Sequence, residues 1–137
     1  MNPKPAVIMT GTKPIRIQRQ RVKGWRLPEN TVIVTRPSAL GNPFQVYQVH
    51  KEFFAIQVSI RAKAKVKEVF ESDFKGKFWE TKAEGIAAAV EGFRRYATED
   101  PEFNYLVKGM QGLNVCCFCK PGSPCHGDVI LEIANPG

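Results

Sequence analysis

The chain has 137 residues, of which 43% are apolar, 24% charged and 10% aromatic. This length and composition fit one domain with its own hydrophobic core, and they exclude a two-domain enzyme, a coiled coil and a low-complexity chain. No run approaches the roughly eighteen consecutive apolar residues that a membrane-spanning helix requires, so we expect a soluble, cytoplasmic protein.

Positive charge dominates the first half of the chain. Lys and Arg number 20 against 13 Asp and Glu, which gives a formal net charge of +7, and residues 1–68 hold thirteen of the basic and three of the acidic side chains. A positive field suits a polyanion, because each neutralised phosphate releases condensed counterions. We therefore expect DNA, RNA or a free nucleotide as the partner, with a basic surface that binds nothing as the alternative.

Residues 1–30 are predicted to form a basic N-terminal arm that includes one short strand at Ala6 to Met9. Gly24 and Pro28 limit any helix in this segment. No acidic residue lies within its basic run, so the arm is expected to contact nucleic acid. The candidate nucleic-acid-binding residues are Arg16, Arg19, Arg21, Lys23, Trp25 and Arg26.

Residues 31–137 are then expected to form a single α/β domain. Thr31 to Thr35 is a β-branched run that predicts a strand. Residues 36–44 follow with two prolines, a glycine and an asparagine, which predict a shaped loop at the end of a strand, where α/β folds place ligands. The candidate ligand-binding residues in this loop are Arg36, Ser38, Gly41, Asn42 and Phe44.

The segment 46–79 is interpreted as a variable insert. Its first part, residues 46–60, fits either a strand or a buried helix. Residues 61–67 alternate basic and apolar side chains and would present four cations on one side if they were extended. The aromatic residues that follow fit either a surface that stacks bases or a part of the core.

The clearest helix begins at Thr81, which forms a capping-box pattern with Glu84. Its apolar residues follow the spacing of one buried helix face. Residues 100–109 are predicted as a turn region, residues 113–119 as an interior strand and residues 129–135 as a last helix.

The predicted elements alternate between strands and helices along the chain. This order predicts a small α/β sandwich with a mostly parallel, Rossmann-like central sheet. In the last helix we expect Ser123 to act as the N-cap and Pro124 to take the first position.

All four cysteines lie within ten residues, which is too close to connect distant parts of the chain, so we expect reduced thiols. Three interpretations stay open. The first is a zinc site, with Cys117, Cys119, Cys125 and His126 as candidate ligands. The second is a nucleophilic Cys125, and the third is a set of small buried side chains that shape a pocket.

The segment after Cys125 carries the candidate catalytic residues. The start of a helix binds anions through its free backbone N–H groups, and Gly127 would let a ligand approach them closely. His126 can move a proton near neutral pH, and Asp128 can act as an acid or a base. Cys125, His126 and Asp128 are thus the candidate catalytic residues, and Gly127 is a candidate ligand-binding residue.

Several spaced motifs together resemble a small phage and bacterial family known only as a domain of unknown function. They are Trp25-Arg26, the loop Arg36-Pro-Ser-x-x-Gly-Asn-Pro-Phe44, Cys117-x-Cys119 and Cys125-His-Gly-Asp128 with an aliphatic tail. The resemblance covers Gly24 to Asn135 apart from the variable insert. This chain has Leu40 and Phe118 where we expect tryptophan in many relatives. The resemblance implies a bacterial or phage-infected host cell and no particular activity.

The loops that follow the two predicted strands are expected to meet at one edge of the sheet and form the site. The leading hypothesis is an enzyme that acts on a nucleotide or on a base in nucleic acid, without a required cofactor, by cleavage or transfer at an N-glycosidic bond. One alternative is a non-catalytic module that binds nucleic acid or sequesters a nucleotide and is stabilised by zinc. Another is a protein-interaction module in phage or host control.

Overall fold

The computed structural model describes residues 13–136, so the strand expected at Ala6 to Met9 lies outside the described residues. The strands are β1 (Arg16–Gln18), β2 (Thr31–Ile33), β3 (Gln45–Val49), β4 (Phe53–Gln57) and β5 (Asn114–Cys117). The helices are α1 (Ala64–Val69), α2 (Lys82–Glu99), α3 (Pro101–Lys108) and α4 (His126–Ala134), and a π-helical turn (Phe70–Phe74) continues α1.

The central sheet has three parallel strands in the order β1-β5-β2. Strand β5 is the middle strand, and its Val115, Cys116 and Cys117 are buried. Burial of consecutive residues is expected for a parallel strand that is covered on both faces. The predicted interior strand, the α/β class and the parallel central sheet are therefore confirmed.

Strand β1 shows that part of the expected N-terminal arm belongs to the sheet. Arg16 lies opposite Val115 and Gln18 opposite Cys117, so these residues are in the domain rather than in an arm that precedes it. The side-chain oxygen of Asn114 also accepts a hydrogen bond from the backbone N–H of Ile15. A strand of three residues within a basic run has too little local pattern to be recognised, because its partners lie about a hundred residues further along the chain.

The variable insert forms a hairpin followed by a helix. Strands β3 and β4 pair in antiparallel register, which resolves the ambiguity over residues 46–60 in favour of strands. Residues 61–67 are not extended throughout, because α1 begins at Ala64, so the condition for four cations on one side is not met. Val66 and Val69 are buried on this helix, and Lys65 forms ion pairs with Glu68 and Glu99.

Helix α2 covers the core as predicted. The capping box is present, with the Thr81 side chain accepting from the backbone N–H of Glu84 and the Glu84 carboxylate accepting from the backbone N–H of Thr81. Ala89, Phe93 and Ala97 are buried along one face. No helix of the described residues is long and apolar enough to cross a membrane.

The predicted turn region at residues 100–109 is wrong, because most of it forms α3. The Asp100 carboxylate accepts hydrogen bonds from the backbone N–H groups of Glu102 and Phe103, and Pro101 occupies the first turn of the helix. Proline has no N–H, and the first turn of a helix does not need one. The same Asp-Pro pair that suggests a break therefore starts a helix.

Close packing at Gly92 gives a first test of the core. A Cβ atom at this position would lie 2.5 Å from two ring carbons of Phe74. We expect Gly92→Ala to lower the free energy of unfolding by about 1–3 kcal/mol, because overpacking outweighs the better helix propensity of alanine. Urea denaturation measures the change, and Ala87→Gly on the exposed side of α2 calibrates the propensity. A Gly92→Ala protein that is more stable than the parent would contradict the clash.

Candidate functional site

The structure brings the two strand-end loops together at the carboxyl edge of the sheet. The loop after β2 and the loop after β5 both line a cavity of about 540 Å³. Helix α2 forms a further wall through Ile86, Ala89 and Val90. The expected ligand-binding residues Arg36, Asn42 and Phe44 line this cavity, together with the thiols and His126.

Asn42 holds the loop of residues 36–44 against the helix. Its side-chain amide donates to the backbone carbonyl of Ala89 at 3.1 Å and accepts from the backbone N–H of Phe44 at 2.9 Å. The Arg36 guanidinium donates to the carbonyl of Asn42 at 2.8 Å. Gly41 packs so closely that a Cβ would lie 3.0 Å from the backbone nitrogen of Arg36. The amide of Asn42 is thus used within the protein, whereas Arg36 is exposed and lines the cavity.

Ser38 and Gly41 line a second cavity on the other side of the same loop. This cavity measures about 620 Å³ and shares Arg36 and Asn42 with the first. The Ser38 hydroxyl accepts a hydrogen bond from the backbone N–H of Leu40, which shapes the loop. The five residues predicted in this loop are therefore divided between two cavities.

Three thiols form a compact group in the first cavity. The Sγ atoms of Cys117, Cys119 and Cys125 all lie within 4.8 Å of one another, and those of Cys117 and Cys125 are 3.4 Å apart. Cys117 ends β5, Cys119 lies in the following loop, and Cys125 caps α4. Three sulfur atoms at this spacing could hold a metal ion. Cys116 is the neighbour of Cys117 on β5 and faces the opposite side of the sheet.

The pKa values of the thiols in this group are shifted in opposite directions. Hydrogen bonding with Cys117 and Cys119 lowers the pKa of Cys125 well below its usual range, and the backbone N–H of Gly127 adds a further hydrogen bond to its sulfur at 3.4 Å. Hydrogen bonding with Cys119 and Cys125 raises the pKa of Cys117 correspondingly. The direction of these shifts favours the thiolate at Cys125, which is the form in which a cysteine binds a metal or acts as a nucleophile.

His126 lies beside the thiol group and is held by the end of β2. Its Nε2 atom is 2.7 Å from the carbonyl oxygen of Val34, which accepts, so we assign the proton to Nε2. Its Nδ1 atom is 3.9 Å from the Sγ atom of Cys125, and its ring meets the ring of Phe93 edge-on. The ring nitrogens of His126 fall outside the group of mutually close sulfur atoms.

Arg16 is buried against this constellation and does not lie on the surface. Its side chain is only 9% exposed, with Nε 3.4 Å from a carboxylate oxygen of Asp128 and Nη2 donating to the carbonyl of Lys120. Its buried Nη1 atom has no hydrogen-bond partner among residues 13–136. Burial lowers the pKa of Arg16, but Cys125 and Asp128 outweigh this effect and raise it. The contact of Arg16 with a nucleic-acid backbone stays a prediction, which the burial of its side chain does not favour.

Asp128 and Gly127 are placed differently from the expected ligand contacts. The side chain of Asp128 is 50% exposed, and burial of its inner part raises the pKa of the carboxyl. Asp128 does not line the cavity. Gly127 is buried, and a Cβ there would lie 3.1 Å from Val115. Gly127 therefore serves the packing of α4 on β5.

The start of α4 also differs from the prediction. The helix begins at His126, and its N-cap is Cys125, whose sulfur accepts from the backbone N–H of Gly127. Ser123 is not the cap, since its hydroxyl donates to the carbonyl of Lys120. The cysteine side chain thus takes the role that the sequence pattern suggested for serine.

The other basic residues of the expected arm lie near the cavity mouth or further out. The guanidinium groups of Arg19 and Arg21 lie 5.1 and 4.2 Å from the ring centre of Phe118, and Arg21 lines the cavity. Lys23 and Arg26 are exposed, whereas Trp25 is half-buried.

Lys82 is a cavity-lining cation that the sequence pattern alone does not reveal as a site residue. It occupies the first position of α2, where the helix dipole disfavours a positive charge. A lysine at this unfavourable position is the signal in the sequence that could have indicated Lys82 as a site residue.

The fold and the site together define a small α/β domain whose parallel sheet carries a thiol-lined, cation-rimmed cavity at its carboxyl edge. The chain belongs to the family described as a domain of unknown function (DUF4326), whose model matches residues 17–136. The predicted membership of a small family of unknown function is thereby confirmed. No curated protein and no solved structure matches the chain.

Proposed function

We propose that the protein is a binding module for a phosphate-bearing ligand, a nucleotide that is either free or part of DNA or RNA. The observation that carries this proposal is the cavity of about 540 Å³ lined by Arg21, Arg36 and Lys82. This volume is typical of a small-molecule site. None of the three cations forms an ion pair with a carboxylate within residues 13–136.

The cavity offers both charge and an apolar wall. Arg36 and Lys82 approach it from the loop after β2 and from the start of α2, so a phosphate could be bound from two sides. Phe44, Val46 and Ile86 form an apolar part of the lining, which suits a base or a sugar face.

Binding is better supported than the N-glycosidic reaction. That reaction needs a carboxylate beside the scissile bond. Asp128 lies outside the cavity lining and faces Arg16, and His126 is engaged with the carbonyl of Val34. We therefore place the non-catalytic module first and N-glycosidic cleavage or transfer second. Release of free base from a nucleotide or an oligonucleotide would reverse this order.

The thiol group is proposed to bind zinc, which takes thiolate ligands in tetrahedral geometry. Zn–S bonds of about 2.3 Å in that geometry place the sulfur atoms about 3.8 Å apart. The separations of 3.4 Å between Cys117 and Cys125 and of at most 4.8 Å within the group lie around this value. Metal analysis of protein purified under reducing conditions tests the proposal. We expect one zinc per chain, lost in Cys117→Ser and kept in the matched control Cys116→Ser.

Nucleotide binding is tested by fluorescence anisotropy with labelled single- and double-stranded DNA and RNA at several salt concentrations. Unlabelled nucleoside monophosphates and triphosphates serve as competitors. We expect Lys82→Gln to weaken binding about tenfold, because a charged hydrogen bond to phosphate contributes about 1.5–3 kcal/mol. The control Lys108→Gln removes an exposed cation of α3 that does not line the cavity, and it should have no effect. Equal behaviour of the two variants, or no binding even at low salt, would overturn the proposal.

A further inference from the structure

We propose that the zinc site has three protein ligands, Cys117, Cys119 and Cys125, and a fourth coordination position that is open to the cavity. The inference rests on the proposed binding of zinc. Sites closed by four protein ligands are structural, whereas sites with three protein ligands hold water or an exchangeable ligand in the fourth position. The proposal therefore makes the metal part of the binding site rather than a remote stabiliser.

The position of the thiol group favours an open site. All three cysteines line the same cavity as Arg36 and Lys82. An ion bound by the three sulfur atoms would therefore lie at the cavity wall. A molecule that enters between the cations and the thiols would meet the ion directly.

His126 is the nearest candidate for a fourth protein ligand, and its contacts argue against that role. Its Nδ1 atom is 3.9 Å from the sulfur of Cys125, but the ring nitrogens are not within 4.8 Å of all three sulfur atoms. The ring is buried, it donates from Nε2 to Val34 at 2.7 Å and it packs edge-on against Phe93. Moving the ring towards the metal would break its hydrogen bond to Val34 and its contact with Phe93.

The charge of the site favours three thiolates over four. Three thiolates and one Zn²⁺ carry a net charge of −1, and the guanidinium of Arg16, which also contacts the Asp128 carboxylate, lies beside this group. This side chain is nine-tenths buried and has an unpartnered Nη1 atom among the described residues. A buried donor without a partner is unfavourable, and an anionic metal–thiolate group provides a compensating charge. An anionic fourth ligand would add to the negative charge of the three thiolates, so water is the expected occupant of the fourth position when the cavity is empty.

The experiment uses the full chain reconstituted with Co²⁺ under reducing conditions, because its visible bands report the number and type of ligands. The first arm titrates the Co²⁺ protein with thiocyanate and with azide. We expect one Co²⁺ per chain, a tetrahedral spectrum and a saturable shift of the bands as the added anion replaces water. The second arm repeats the measurement with His126→Asn, which should keep one Co²⁺ per chain and the same response.

The possible outcomes separate this inference from the zinc proposal. If the wild-type protein binds no stoichiometric Co²⁺ or Zn²⁺, the proposed zinc binding fails and the open position fails with it. If the metal binds but neither anion changes the spectrum, zinc binding stands and the site is closed, so the inference is wrong. Loss of the metal in a folded His126→Asn protein would identify His126 as the fourth ligand, and the open position would then be wrong as well. The wild-type titration decides the matter even where His126→Asn does not fold.

Discussion

Removal of the proposed zinc ion is expected to lower the midpoint of thermal unfolding by about 10 °C. A ligand present at about a thousandfold its dissociation constant stabilises the folded state by about 4 kcal/mol, and a domain of about 150 residues shifts by about 2–4 °C per kcal/mol. The metal would connect the end of β5, the following loop and the start of α4 through one atom. Without it, the three cysteines are joined only by contacts among thiols, while the packing of α4 on β5 remains.

The measurement compares circular-dichroism melting curves of protein treated with a chelator and of the same protein after zinc is added back. A reducing agent must be present in both, because the sulfur atoms of Cys117 and Cys125 are only 3.4 Å apart and oxidation would join them. In Cys117→Ser the addition of zinc should leave the midpoint unchanged, whereas Cys116→Ser should respond like the wild type. A wild-type midpoint that zinc does not move would show that the loop is stable without metal.

The parts of the fold that can be predicted are those with a strong local pattern. Helix α2 has a capping box at Thr81 and a regular apolar face, and β5 is an apolar run that must be buried on both sides. The parallel sheet follows from the alternation of such segments with helices. The family resemblance follows from motifs that stand at set spacings along the chain.

The parts that escape prediction depend on partners far away in the chain. Strand β1 is defined by its pairing with β5, and nothing within Arg16–Gln18 indicates it. Helix α3 resembles a turn in the sequence, because Asp-Pro begins both structures and only the burial of Phe103 and Val107 distinguishes them. The local sequence gives the side chains of these segments, but it does not show which distant residues they pair with or pack against.

The candidate site shows the same division. Four cysteines within ten residues make a thiol group foreseeable, and Cys117, Cys119 and Cys125 do come together. The contact of His126 with Val34 joins positions 92 residues apart, and the local sequence around neither residue predicts it. A basic run is normally solvated, which is why the sequence pattern places Arg16 in an exposed arm. Its burial depends on Asp128 and on the thiols, which only the folded chain brings near.

We expect the Arg16→Met substitution to weaken the proposed zinc binding by about ten- to a hundredfold. Groups that orient or compensate metal ligands from outside the coordination shell typically contribute this much to metal affinity. Methionine keeps much of the buried volume but removes the positive charge beside the thiolates, so the anionic metal–thiolate group loses its counter-charge. Protons and zinc compete for the same sulfur atoms, and loss of the positive charge makes the thiols hold their protons more tightly. The variant should therefore take up zinc only at higher pH than the wild type.

Competition with a chromophoric chelator at several pH values measures both effects. Arg19→Met is the matched control on the same chain segment, since the guanidinium of Arg19 lies over the ring of Phe118. Arg16→Lys should recover part of the affinity, because an ammonium group restores the charge without the planar donors of the guanidinium. A folded Arg16→Met protein with wild-type zinc affinity would show that the charge of the thiolates is balanced from the cavity side. In that case Arg21, Arg36 and Lys82 would become the counter-charges, and binding of zinc and of an anionic ligand would compete for the same cations.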